Sequence, residues 1–195
     1  MKRTIVSGKE QSLIQESAMQ RMLNVLFWFP DIEFSLSELA REATISKSTA
    51  SKLLPVLVHA NMVTVQDKGI IHRIAAKTES FEFKKRKIAF NLAVIYHSNI
   101  VEFLNEKFEH PRAIILMGSY RLGEDISSSD IDIAIEVNNV EEMKSFRLEE
   151  LTALEKELQR HIQIHTFNRK RIDHNVLNNI INGIVLYGYL ELNHG

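Results

Sequence analysis

The sequence has no cysteine. That excludes disulfides, thiolate zinc sites and cysteine nucleophiles, and it agrees with a reducing compartment. Any metal must be held by oxygen or nitrogen. Three prolines and seven glycines in 195 residues are too few for a collagen-like or low-complexity chain. No apolar run reaches the roughly 18–20 residues that a membrane-spanning helix requires. Met1 to Glu10 (MKRTIVSGKE) lacks the apolar stretch of a secretory signal. The expectation is therefore a soluble, cytoplasmic protein with no membrane partner. Hydrophobic residues at 45% and charged residues at 25% match globular chains, so a buried core is expected, in one large domain or two small ones.

The net charge of −1 conceals an asymmetry. Residues 1–110 hold 15 Lys and Arg against 12 Asp and Glu, whereas residues 111–195 hold 9 against 13. The first part can face a polyanion and the second can hold cations; a solvated surface explains both equally well.

Along the first part, apolar residues from Leu13 to Leu26 recur at helical spacing and stop at Pro30. Ser35 and Glu38 form the pattern of a capping box ahead of a second helix. Ser46 can cap a third, Lys47–Met62, with Leu53, Leu54, Val56, Leu57 and Ala60 as its core face and Pro55 as an expected kink. Val63-Thr64-Val65 and Ile70–Ala75, joined by a turn containing Gly69, predict a hairpin. Three helices and a hairpin form a winged-helix pattern, and the stretch resembles the winged helix-turn-helix domains of prokaryotic regulators. The resemblance implies DNA as a partner. Ser46, Lys47, Ser48, Thr49, Ser51 and Lys52 would read the major groove, and Lys68, His72 and Arg73 would grip phosphate from the wing. A protein-contacting or dimerising role remains open, because a fold does not fix a function. Phe27, Trp28 and Phe29 read as packing residues.

The expected domains are a winged helix over 1–77, a connecting helix over 78–110 and a C-terminal domain over 111–195. The connecting stretch lacks Gly and Pro and repeats apolar residues at three- and four-residue steps, with Asn99 interrupting. Its stripe suits packing against a second copy, so a homodimer is expected. The run Lys84–Lys87 reads either as a phosphate contact or as a solvated face.

Residues 113–137 (AIILMGSYRLGEDISSSDIDIAIEV) carry the chemistry. A buried strand runs into Gly118-Ser119, and a second strand alternates from Asp130. Asp130, Asp132, Ala134 and Glu136 share one face, and Ile131, Ile133, Ile135 and Val137 share the core face. Adjacent carboxylates are unfavourable without a cation between them, and hard cations such as Mg²⁺ take carboxylates together with substrate phosphates. Backbone N–H groups at Gly118-Ser119, the Ser119 hydroxyl and Arg121 can hold phosphate oxygens, and Gly123 permits a tight return. A nucleoside triphosphate so placed could pass its α-phosphate to an acceptor hydroxyl with loss of pyrophosphate.

Gly-Ser, ten residues, then Asp-x-Asp resembles the signature of the DNA polymerase β-like nucleotidyltransferases, particularly the minimal ones, over roughly residues 90–188. Ile184–Gly188 after a helix resembles their closing segment. The resemblance implies an α+β fold, with a winged helix followed by a mixed sheet backed by helices on one face and open at the acidic face. It also implies Mg²⁺ or Mn²⁺ on Asp130 and Asp132, a nucleotide such as ATP on Gly118, Ser119 and Arg121, and catalysis through the two aspartates. Small members resemble antitoxins that act on a helical HEPN-type partner protein, which implies a protein acceptor. Two positions depart from the pattern. Leu122 stands where Arg is common, with Arg121 one position earlier. The third metal carboxylate is expected on Ile162–Phe167 (IQIHTF), after a helix over 141–160, and Gln163 takes its place; His165, on the same face, reads either as a substitute base or ligand or as a packed strand histidine. An amide cannot act as a general base, so two functions stand side by side: a transferase linked to DNA recognition, or a DNA-binding regulator whose transferase domain senses nucleotide. His161 and His165 lack the glutamate of a zinc motif.

Overall fold

Ser17, held in an extended conformation, accepts the N–H of Gln20 and opens α1 (Ala18–Trp28), whose Met22, Leu23, Val25, Leu26 and Phe27 are buried. The structure is a computed structural model and describes residues 16–67 and 72–191. Lys68 and the hairpin tip lie outside the described residues. α2 (Leu36–Glu42) starts with both halves of its capping box formed between Ser35 and Glu38. α3 (Lys47–His59) is capped by Ser46 and continues through Pro55. An exposed proline omits one rung of the helix ladder, and here the expected kink does not end the helix. Val56, predicted in the core, is 51% exposed; Ala50 and Leu57 are buried.

β1 (Val63–Asp67) and β2 (His72–Ala76) pair antiparallel, and Phe34 adds a short bridge to Ile74. The order of three helices and a hairpin is the one predicted, consistent with a winged helix. One apolar core joins α1, Phe34, Leu39, Ala40, Leu57, Met62, Ile74 and Phe83. Phe27 packs edge-on against Phe83 at 5.2 Å, and Trp28 packs against Phe90 at 5.4 Å, so the aromatic run does serve packing.

The single helix expected over 78–110 is two, α4 (Phe81–His97) and α5 (Ile100–Lys107), separated where Asn99 adopts φ 55°. Asparagine tolerates this left-handed conformation better than most residues, and a continuous helix cannot pass through it. Of the basic run, Lys84 meets Glu124 and Lys85 meets Glu82. Lys87 is buried, donating to the Phe27 carbonyl at 2.7 Å and to Asp125 at 2.8 Å. Removing one partner of such a buried pair costs about 3–5 kcal/mol, because the other is left charged in an apolar interior. Lys87 is therefore structural rather than a phosphate contact.

Contacts divide the described residues into two units: 16–90 with 123–127, and 91–122 with 128–191, so the boundary falls inside α4. In the first unit Asp31 holds the 123–127 segment by accepting both the N–H and the hydroxyl of Ser127, at 2.8 and 2.7 Å.

The second unit continues with β3 (Ala113–Leu116), α6 (Gly118–Leu122), β4 (Ile131–Glu136) and β5 (Lys144–Phe146). After a 3-10 turn at Glu149–Leu151 come α7 (Thr152–Leu158), β6 (Ile162–Phe167), α8 (His174–Ile181) and β7 (Ile184–Gly188). The strands form one sheet in the order β5-β6-β4-β3-β7. It is mixed, since β4 and β6 run parallel and the other pairs antiparallel. The predicted helix over 141–160 is thus an edge strand, a 3-10 turn and one short helix.

Asp132, Ala134 and Glu136 share their face with Ile115, Gln163, His165 and Phe167, as the strand registers require. That face is not open along its length. Ala113, Ile115, Ala134, Phe167 and Ile180 form a buried cluster, with Val176 and Leu177 of α8 packed on it. Only the end near Asp132 stays accessible. No helix among the described residues is long and apolar enough to cross a membrane.

Candidate active site

β3 ends beside β4, where the Met117 N–H donates to the Asp132 carbonyl at 2.9 Å. The chain then turns at Gly118 with φ +66°, a conformation that side chains resist. A Cβ built on Gly118 would lie 2.5 Å from Asp132 Oδ2. With any other residue at 118 the Asp132 carboxylate would have to shift from this position. The structure therefore brings the Gly-Ser turn and the Asp-x-Asp strand together. Ser119, Arg121 and Asp132 are half-buried, and Asp130 is exposed one residue before β4. α6 has five residues, too short for a sizeable helix dipole, so an anion placed here would depend on individual N–H groups, the Ser119 hydroxyl and Arg121. The buried Asn91 amide donates to the Tyr120 carbonyl at 2.7 Å and fastens α6 in place.

Gln163 stands directly opposite Asp132 in the parallel pairing of β4 and β6, the strand position where the resemblance implies a third carboxylate. His165, one step along that face, turns back so that Nε2 lies 3.0 Å from Asp132 Oδ1. Its Nδ1 lies 2.8 Å from the hydroxyl of Ser145 on β5. A carboxylate only accepts, so Nε2 carries the hydrogen toward Asp132. In the neutral ring Nδ1 then accepts from Ser145. Sequence reasoning missed Ser145, because the acid-rich stretch around it reads as helix.

Two ion pairs frame this face. Glu155 on α7 accepts from Arg147 at 3.1 and 2.6 Å and from the Ile162 N–H at 2.8 Å, tying the end of β5 to the start of β6. Burial raises the Glu155 pKa, but the hydrogen bonds from Arg147 and the Ile162 N–H outweigh it and hold the group below its ordinary value. Glu136, expected on the open acidic face, is instead buried and meets Arg169 at 2.7 Å. Burial pushes its pKa up against the opposing pull of Arg169 and Arg112. Buried and paired through Oε1 with Arg169, it lies off the accessible end of the face.

Asp130 and Asp132 supply hard oxygen donors. Oδ1 of Asp132 is engaged by His165, whereas Oδ2 faces the space that glycine leaves at position 118. Among the described residues no group of three or more His, Cys, Asp or Glu could hold a metal. Two carboxylates are too few for an all-protein cage, so a divalent cation held here would take its remaining ligands from water or substrate, as Mg²⁺ commonly does.

Residues 97–187 match the family model described as nucleotidyltransferase domain. The matched residues include Gly118, Ser119, Asp130, Asp132, Ser145 and His165. No curated protein matches the chain. Among solved structures, reduced HlyU from Vibrio cholerae N16961 is 22% identical, with a TM-score of 0.31 over 47% of this chain and 81% of that one, a likeness too low to fix fold or function.

In the winged-helix unit, Lys47, Ser48, Ser51 and Lys52 are exposed at the start of α3. Ser46 and Thr49 are occupied in capping: the Ser46 hydroxyl accepts the Thr49 N–H at 3.0 Å and lies 2.8 Å from its hydroxyl. Arg73 donates to Glu38 at 3.0 Å, and His72 is exposed. Both lysines are exposed near the start of α3, five residues apart on the helix, and Arg73 is partly neutralised by Glu38.

Because the Glu155 pKa is lowered on folding, its contribution is complete above the ordinary carboxylate value and fades as pH falls through the folded one. Glu155→Gln should lower urea-measured stability by about 1–3 kcal/mol at pH 7. That gap should shrink as pH falls into the acid range; a constant gap contradicts the role given to Glu155.

Proposed function

We propose that the C-terminal unit transfers a nucleoside monophosphate from a nucleoside triphosphate to an acceptor hydroxyl, and that the winged-helix unit binds DNA. The observation that carries the transferase reading is Gly118 standing over the Asp132 carboxylate, which puts the anion-binding turn and the acidic strand at one place. In this reading the N–H groups at Gly118-Ser119, the Ser119 hydroxyl and Arg121 hold the triphosphate tail, orienting the α-phosphorus toward the acceptor. Asp130 and Asp132 hold the divalent cation, which neutralises phosphate charge. His165, rather than Gln163, is the group placed to take a proton from an acceptor, since its Nδ1 already faces a hydroxyl.

A second reading, nucleotide sensing without turnover, is favoured by one observation: the His165 contact occupies Asp132 Oδ1 while Gln163 brings no charge. Binding and turnover separate the two.

The DNA reading is supported by the exposed Lys47 and Lys52 flanking Ser48 and Ser51 at the start of α3, where phosphate and base edges can be reached together.

ATP titrated with Mg²⁺ by calorimetry should bind wild type and lose binding in Asp130→Asn/Asp132→Asn. Wild type alone should release pyrophosphate; binding without release selects the sensor, and no binding defeats both readings. Duplex DNA should bind at low salt and weaken steeply as salt rises. Lys47→Glu/Lys52→Glu should lower that affinity at least tenfold, and unchanged binding removes α3 from the interface.

A further inference from the structure

Nucleotidyl transfer needs a hydroxyl with somewhere to send its proton, and the sheet already contains one. Ser145, His165 and Asp132 lie on three neighbouring strands, β5, β6 and β4, and the registers put all three on the same face. Ser145 Oγ is 2.8 Å from His165 Nδ1, and His165 Nε2 is 3.0 Å from Asp132 Oδ1. A nucleophile within hydrogen-bond reach of a base, with the base oriented by a third group, is the arrangement that activates serine hydroxyls generally. Packing alone does not require it. Ser145 sits exposed on a three-residue edge strand, so its hydroxyl could bond water at no cost. The ring of His165 is instead 12% exposed and held at both nitrogens. The neighbouring Arg147 is locked by Glu155, which fixes the strand that presents Ser145.

We propose that Ser145 is an acceptor of the transferred nucleotide, so that the protein nucleotidylates itself at this position. The inference rests on the transferase reading above. Ser145 Oγ attacks the α-phosphorus, and the new Oγ–P bond forms as the bond from that phosphorus to the bridging oxygen breaks. Pyrophosphate departs with the electron pair. The hydroxyl proton passes to His165 Nδ1 along the existing hydrogen bond, and the ring later returns it to water. The product carries a phosphodiester between the serine and the nucleoside. It adds a negative charge and a base at the edge of the face that holds Asp132, where it obstructs access to the same site. Modification is therefore self-limiting, approaching one nucleotide per chain.

The test uses the full chain incubated with ATP and Mg²⁺, read by intact mass and by peptide fragmentation, with nucleotide binding measured in parallel by calorimetry. Wild type should gain the mass of one nucleoside monophosphate residue, located at Ser145. Ser145→Ala, with thermal unfolding checked against wild type, should fall to background, and Ser145→Thr should restore part of the label. His165→Ala should slow labelling by about 10²-fold or more, as expected for loss of a general base. Label that persists in Ser145→Ala overturns the proposal. So does unlabelled wild type that binds ATP and releases pyrophosphate, an outcome that leaves the transferase reading intact. Wild type that neither binds ATP nor gains label overturns both.

Discussion

The Asp132 carboxylate is bonded on one side by the His165 ring at 3.0 Å and on the other faces the bare backbone of Gly118, where a Cβ would stand 2.5 Å from Oδ2. The surrounding site depends on this arrangement. Glycine at 118 relieves both the positive φ and the close approach to Asp132, and the turn it makes after β3 brings Ser119 and Arg121 beside the acidic strand. On the other side, the parallel pairing of β4 and β6 puts Gln163 opposite Asp132 and lets His165 reach back from the next position on the face. Where a carboxylate would add charge for a second cation, this chain has an amide and an imidazole. In the proposed transferase reading, this leaves cation binding to two aspartates and the substrate, and proton transfer to His165.

Burial decides how far the site extends. α8 covers the same sheet face beyond Asp132, sealing Ala134 and Phe167, and the Glu136–Arg169 pair sits within the sealed part. What remains is a short accessible end bounded by Gly118, Asp130, Asp132, His165 and Ser145. Its far edge is maintained by the Glu155 carboxylate, which holds Arg147 and the Ile162 N–H together. Rigid support at that edge matters because β5, with three residues, has little pairing of its own.

Local chemistry was the legible part of the sequence. The capping box at Ser35 and Glu38, the Ser46 cap, the glycine turn and the period-two alternation of β4 are all short-range patterns, and the structure forms each of them. What failed depended on distant partners. Glu136 looked exposed because alternation cannot foresee Arg169, and Lys87 looked like part of a solvated run because Asp125 lies 38 residues away. β5 was hidden in a stretch whose acids and leucines have helical spacing; its strand character comes only from pairing with β6. Ser145 was therefore unreadable as a site residue, although His165 was visible as a candidate base. Val56 and the break at Asn99 show the same limit, since apolar spacing names a helix face without saying what covers it or where the backbone leaves the helix.

The most direct test of the account is a crystal structure grown with a non-hydrolysable nucleoside triphosphate and Mn²⁺, with the metal located by its anomalous signal. One manganese should bind Asp130, Asp132 and the triphosphate, with the phosphate tail on Gly118-Ser119 and the α-phosphorus facing the His165–Ser145 pair. A nucleotide bound elsewhere, or bound here without metal at the aspartates, would contradict it.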